Sequence, residues 1–230
     1  LARIFGVSPL TPQGRIDHRD AVGELFVGSI LDHLGQNWDV LHGLPLGELS
    51  LDHFAVGRPG VFAFVVVNCR GGEVAINGDE LIVGRTVKGC IVDAKKSAMI
   101  VADTLSAATE TPVAVTAVLV LVRPSRVAIL RQPDNVYVAN SRQLEQWLLS
   151  RTPVITGDDV AQISRVAEAD RTWPEPHTTA RRARNLARIF TAIHHDVRAA
   201  SLRRFCWVSA LGLAMIVALA KLVSVLTSMS

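Results

Sequence analysis

An aspartate set inside an apolar strand-like run is the residue of this sequence best placed to do chemistry. Leu49 to Val56 reads LSLDHFAV, with Asp52 and His53 at its centre. A charge in such a setting requires a partner, because burying it alone is costly. A carboxylate there can ligate a hard cation or exchange a proton. Glu24, on a helical stretch upstream, is a second candidate acid, though an exposed helix glutamate looks the same in sequence. Lys88, Lys95 and Lys96, near the start of a later helix, and Glu73, at the start of a strand, are charges of the kind that usually stay solvated. His53 follows Asp52 directly, so it points to the opposite face of the strand, where it serves packing. His194 and His195 diverge around a helix and do not form a metal pair. Cys69, Cys90 and Cys206 are far apart and odd in number, which provides neither metal-ligand spacing nor a disulfide framework. No Gly-x-Ser-x-Gly elbow and no phosphate-cradling glycine loop is present.

The elements that position these residues follow from periodicity. A helix is expected over His18–Leu34, with Val22, Leu25, Phe26, Ser29, Ile30 and Leu34 on one stripe. Three strands follow, Trp38–Leu44, Leu49–Val56 and Val61–Asn68, the last two joined by the turn Gly57-Arg-Pro-Gly60. The third contains Val-Phe-Ala-Phe-Val-Val-Val, a continuous apolar run that belongs to a strand covered on both faces. A hairpin comes next, Glu73–Ile76 and Glu80–Val83, turned by Asn77-Gly78-Asp79. Lys88–Ala107 is expected to be helical, Val113–Val122 a strand, and Val127–Leu130 with Val136–Ala139 a pair around Pro133-Asp134-Asn135. Helices over Ser141–Leu149 and Asp158–Asp170 close the domain, capped by Ser141 and by Thr156 or Asp158. Trp173-Pro-Glu-Pro reads as the linker. This order predicts an α/β fold with a mixed central sheet flanked by helices. The divisions are an N-terminal extension (1–17), the α/β domain (18–172), a Pro-containing then Arg-rich segment (173–204) and a hydrophobic tail (205–226).

Charge divides the chain at that linker. Residues up to Pro176 carry sixteen Lys and Arg against twenty Asp and Glu, a net of −4; the rest carry eight against one, a net of +7. The tail from Phe205 to Leu226 reads FCWVSALGLAMIVALAKLVSVL, apolar all round but for Lys221, which can snorkel near a helix end. Its 22 residues span roughly 33 Å as a helix, enough to cross the hydrocarbon core. A single transmembrane helix is therefore expected. Arg181, Arg182, Arg184, Arg188, Arg198, Arg203 and Arg204 precede it, and positive flanks stay inside, which places the domain on the cytoplasmic side. The same arginines suit anionic lipid headgroups. Nucleic acid is the weaker expectation, since a body of net −4 opposes phosphate contact.

Several short motifs, in order, resemble the NERD (nuclease-related) domain of the PD-(D/E)XK nuclease-like superfamily. They are Gly23-Glu24 on the first helix, Leu51-Asp52-His53 on the second strand, and Gly60-Val61-Phe62 leading to Asn68-Cys69-Arg70-Gly71. The resemblance covers about Asp20 to Leu149 and implies a restriction-endonuclease-like sheet. It also implies a metal-dependent nuclease site: an acid from the second strand, an acid-x-lysine on the third, a glutamate from the first helix, and Mg²⁺. Position by position, Glu24 and Asp52 match the helix glutamate and the strand aspartate, with Asp52 as the residual metal ligand. The third strand departs from the pattern. Val65 stands where the acid belongs and Val67 where the lysine belongs, and neither can ligate a metal or move a proton. The resemblance thus implies a degenerate site, a binding or scaffold module with no cofactor. The alternative is a nuclease that draws its missing lysine or acid from Lys88, Lys95, Lys96 or Glu73.

Overall fold

In the computed structural model, residues 12–47, 49–169 and 172–173 are described. Helix α1 (Pro12–Asp32) leads into strands β1 (Trp38–Leu46), β2 (Leu49–Gly57) and β3 (Gly60–Asn68). Short strands β4 (Glu73–Asn77), β5 (Glu80–Val83) and β6 (Thr86–Lys88) follow, then helix α2 (Cys90–Thr109). The domain continues through β7 (Val115–Val122), β8 (Arg126–Arg131), β9 (Val136–Asn140), α3 (Leu144–Leu149) and α4 (Gly157–Glu168). All these strands lie within the unit Arg19–Arg184.

The strands form two sheets. The larger has the order β1-β2-β3-β7-β9, antiparallel from β1 to β3 and parallel from β3 to β9. The smaller has the order β6-β5-β4-β8, with β4 and β8 parallel. Two neighbouring strands of the first sheet, β3 and β7, bend together and continue as β4 and β8 of the second. At the bend Arg70 and Arg123 adopt positive φ (51° and 53°). The chains stay joined there by bonds from Cys69 N–H to the Val122 carbonyl (2.9 Å) and from Ser125 N–H to the Gly72 carbonyl (3.1 Å).

The apolar run of β3 is explained by its place at the centre of the larger sheet. Val61, Ala63 and Val67, with Val65 against them, pack on the side of α2 and α4. Phe62 and Phe64, with Val66, face Val27 and Leu31 of α1, Leu34 just beyond it, and Leu144 and Leu148 of α3. Both faces of the strand are thus inside the protein. Helix α2 buries Ile91, Ala94, Ala98, Val101 and Leu105, an i, i+3, i+4 series that makes one continuous stripe. Thr156 caps α4 through a reciprocal box with Asp159.

Several expectations need correction. The segment Thr86–Lys88 is a strand paired with β5, and α2 begins at Cys90, not at Lys88. Strands β8 and β9 do not pair with each other: β8 joins β4 and β9 joins β7, because the bend after Val122 sends β8 into the second sheet. Ser141 is not a cap; α3 starts at Leu144, and the Ser141 hydroxyl is buried with no hydrogen-bond partner among the described residues. The expected stripe on α1 is rotated. Leu25 and Phe26 are exposed, and the buried face of the helix runs through Gly23, Val27 and Leu31; Leu34, an expected member, is buried just past its end. Trp173, expected to open the linker, is buried in the core and donates its indole N–H to the Ala167 carbonyl at 2.8 Å. Among the described residues no helix is long and apolar enough to cross a membrane. Phe205–Leu226, the juxtamembrane arginines and His194-His195 lie outside the described residues.

Candidate functional site

The ladder between β2 and β3 runs from Gly57 opposite Gly60 to His53 opposite Phe64. Asp52 is the next residue, where the ladder stops. Its Oδ2 accepts the backbone N–H of Val66 at 2.6 Å, so the carboxylate takes a bond that a strand carbonyl would otherwise make. This is a structural use of the aspartate, and it answers the question of its partner.

Helix α1 brings two further acids to the same place. Burial, then the negative charge of Glu24, pushes the Asp52 carboxyl up to about 7, against the opposing pull of the Val66 bond; Asp20 adds to the rise. Glu24 is itself raised, by burial and then by Asp20. The structure thus brings together Glu24 and Asp52, the two acids that the resemblance singles out, and adds Asp20, which the sequence reading missed. The missed signal was spacing: Asp20 and Glu24 are four residues apart and share one helix face. Like charges crowded out of water favour protonation, so Asp52 and Glu24 hold protons more readily than free carboxylates do.

Among the described residues, the side-chain charges that shift Asp52 are those of Glu24 and Asp20, and no lysine is among them. Lys95 pairs with Asp79 at 2.5 Å, and Lys96 and Glu73 are exposed. Lys88, at the end of β6, acts instead on Cys69 and Cys90, both of whose thiols burial raises, Cys69 to about 11. Val67 is buried at 2% exposure and Val65 packs against the same core. Among the described residues no three His, Cys, Asp or Glu side chains are grouped so as to hold a metal ion. With one Asp52 oxygen taken by the backbone and a valine in place of the third-strand acid, the donor set does not fit the Mg²⁺ that the resemblance implies.

Behind Asp52 lies a second polar cluster. His53 Nε2 donates to the Glu24 carbonyl at 3.0 Å, which leaves its Nδ1 to accept from His42 Nδ1 at 2.8 Å. The far nitrogen of His42 sits 3.0 Å from Asp32 Oδ1 and forms an ion pair when the ring is protonated. The rings meet edge to face, 4.9 Å between centroids. Burial, then the charge of His42, lowers His53 to about 4. His53 does face away from Asp52, as expected, but it clamps α1 to the sheet as well as packing. The clamp depends on close approach. A Cβ at Gly28 would stand 3.2 Å from His53 Cε1, and one at Gly23 would stand 3.2 Å from Asn68 Cβ. The signal for His42 was the hairpin register, which sets it directly opposite His53.

Compared with protein-family models, with curated proteins and with solved structures, the chain matches none.

Proposed function

We propose that this protein is a non-catalytic binding or scaffold module built on a nuclease-related domain and held at the cytoplasmic face of a membrane by Phe205–Leu226. The observation that carries the non-catalytic half is the third strand. Val65 and Val67 are built into the core, while the carboxylate beside them is bound by a backbone N–H. The nuclease relationship is supported by placement: the first-helix glutamate and the second-strand aspartate converge beside that third strand.

The tethered half is supported by sequence: an apolar tail preceded by Arg181, Arg182, Arg184, Arg198, Arg203 and Arg204, which suit anionic headgroups. Two measurements test the proposal. The full chain is expected to stay with membranes through alkaline extraction, and a chain ending at residue 204 to be released. Titration of the full chain with Mn²⁺ is expected to give the same heat for the native protein and for Asp52→Ala. Release of the full chain by alkali would remove the tether, and Mn²⁺ binding lost in Asp52→Ala would restore the metal-site reading.

A further inference from the structure

The smaller sheet ends in an open edge. Strand β8 pairs with β4 on one side and with nothing among the described residues on the other. It is exposed over nearly its whole length, with Val127 at 37%, Ile129 at 48% and Leu130 at 74%. The peptide groups of successive strand residues turn to alternate sides. Ser125 N–H bonds to Gly72, on the β4 side, so those of Arg126 and Ala128 face outward. Leu130 has no counterpart on β4, where Ile76 is opposite Ile129 and Asn77 opposite Arg131; this bulge ends the regular edge.

The charge along this edge has one sign. From Arg123 to Pro133 there are three arginines and no acid. All three are exposed, and none is in an ion pair with another described residue. The guanidinium of Arg131 lies over Gly78 in the β4–β5 turn, which leaves Arg123 and Arg126 uncommitted. An unpaired strand edge recruits an extended chain through its backbone groups, and its side chains select the sequence.

We propose that the β8 edge is a docking site for an extended acidic peptide, which adds a strand to the smaller sheet with apolar residues against Val127 and Ile129 and carboxylates near Arg123 and Arg126. Two other occupants are disfavoured. Antiparallel pairing with a second copy, centred on the strand, sets Arg126 against Arg131, and like charges directly opposite repel. A bilayer leaves the outward peptide groups of Arg126 and Ala128 without partners in hydrocarbon. The inference gives the binding module a partner class, yet it rests on β8 alone, so nuclease activity or loss of the tether would leave it standing.

The test uses the full chain in mild detergent and two fluorescein-labelled octapeptides, one alternating Val with Glu and one alternating Val with Lys. Fluorescence anisotropy is expected to show saturable binding of the acidic peptide and none of the basic one. Ala128→Pro removes an outward N–H while sparing the β4 ladder, and Arg126→Glu reverses a charge. Each is expected to weaken binding at least tenfold, with an unchanged far-ultraviolet circular dichroism spectrum. Equal binding of the two peptides, no binding of the acidic one, or unchanged binding in both variants would overturn the proposal. So would a full-chain dimer that Ala128→Pro renders monomeric, or anionic vesicles that bind through β8 and displace the peptide.

Discussion

Asp52 and His53 are adjacent, point to opposite faces and load the fold with opposite pH dependences. His53 falls from 6.5 to about 4 in the folded protein. Between those values the unfolded chain binds a proton that the folded one refuses, so stability is lost as pH falls from about 6.5 toward 4. At about 1.4 kcal/mol per pKa unit this amounts to about 3 kcal/mol. Asp52 moves the other way, from 3.8 to about 7. The folded protein holds its proton longer than the unfolded chain, so stability is present below about 4 and is lost as pH rises through 7. The loss is on the order of 4 kcal/mol. Glu24, raised too, adds in the Asp52 direction. Over about pH 4 to 6.5 the two slopes oppose, and from about 6.5 to 7 only the loss remains. Single variants separate them. Asp52→Asn keeps an oxygen for the Val66 N–H and removes the charge. Its stability should rise with pH by up to about 1.4 kcal/mol per unit below pH 6.5, then exceed that of the native protein by a few kcal/mol near pH 8. His53→Gln should show the reverse slope, falling steadily from about pH 4 to 7. Urea unfolding followed by tryptophan fluorescence across this range measures both. Parallel stability profiles for Asp52→Asn and the native chain would refute the claim that the fold raises the Asp52 carboxyl.

Three further outcomes follow from packing. Gly28→Ala should destabilise by about 1 kcal/mol despite the helix propensity of alanine, because His53 is fixed by two hydrogen bonds and cannot yield to the new methyl; a higher urea midpoint would contradict this. Val67→Lys puts an ammonium at a site 2% exposed and should cost several kcal/mol, whereas an unchanged melting temperature would mean that the position opens to solvent. Thr156→Ala removes the hydroxyl that accepts the Asp159 N–H at the α4 cap, while the backbone N–H of residue 156 keeps its bond to the Asp159 carboxylate, and should lower stability by about 1 kcal/mol, read as a lower midpoint in thermal melting.

Much of the fold was legible because its strands carry strong local signals. The three strands around Asp52 and the Glu73–Val83 hairpin have apolar runs bounded by glycine turns, and their boundaries fall within two residues of expectation. What was not legible depended on long-range placement. Val127–Leu130 looks like the partner of Val136–Ala139 because they are close in sequence. Only the bend at Arg70 and Arg123, set by backbone conformation, sends β8 to β4. The buried face of α1 was misread because two of its contact positions, Gly23 and Gly28, have no side chain to register as apolar. At the site, Asp52 and Glu24 were singled out by their types and by the motif order of the resemblance, and the structure sets them near each other. Asp20 and His42 were missed because their roles come from what a helix face and a hairpin register set opposite them. The Val66 N–H that occupies Asp52 is a backbone group and leaves no trace in sequence.

The central claim is that the third strand's valines leave a fold without nuclease chemistry. The most direct measurement incubates the full chain with single- and double-stranded DNA and with RNA, in Mg²⁺ and in Mn²⁺, beside Asp52→Ala and Glu24→Ala prepared identically. The expected result is no metal-dependent cleavage above the no-protein background, with the three proteins indistinguishable. Cleavage by the native chain that disappears in Asp52→Ala would contradict it.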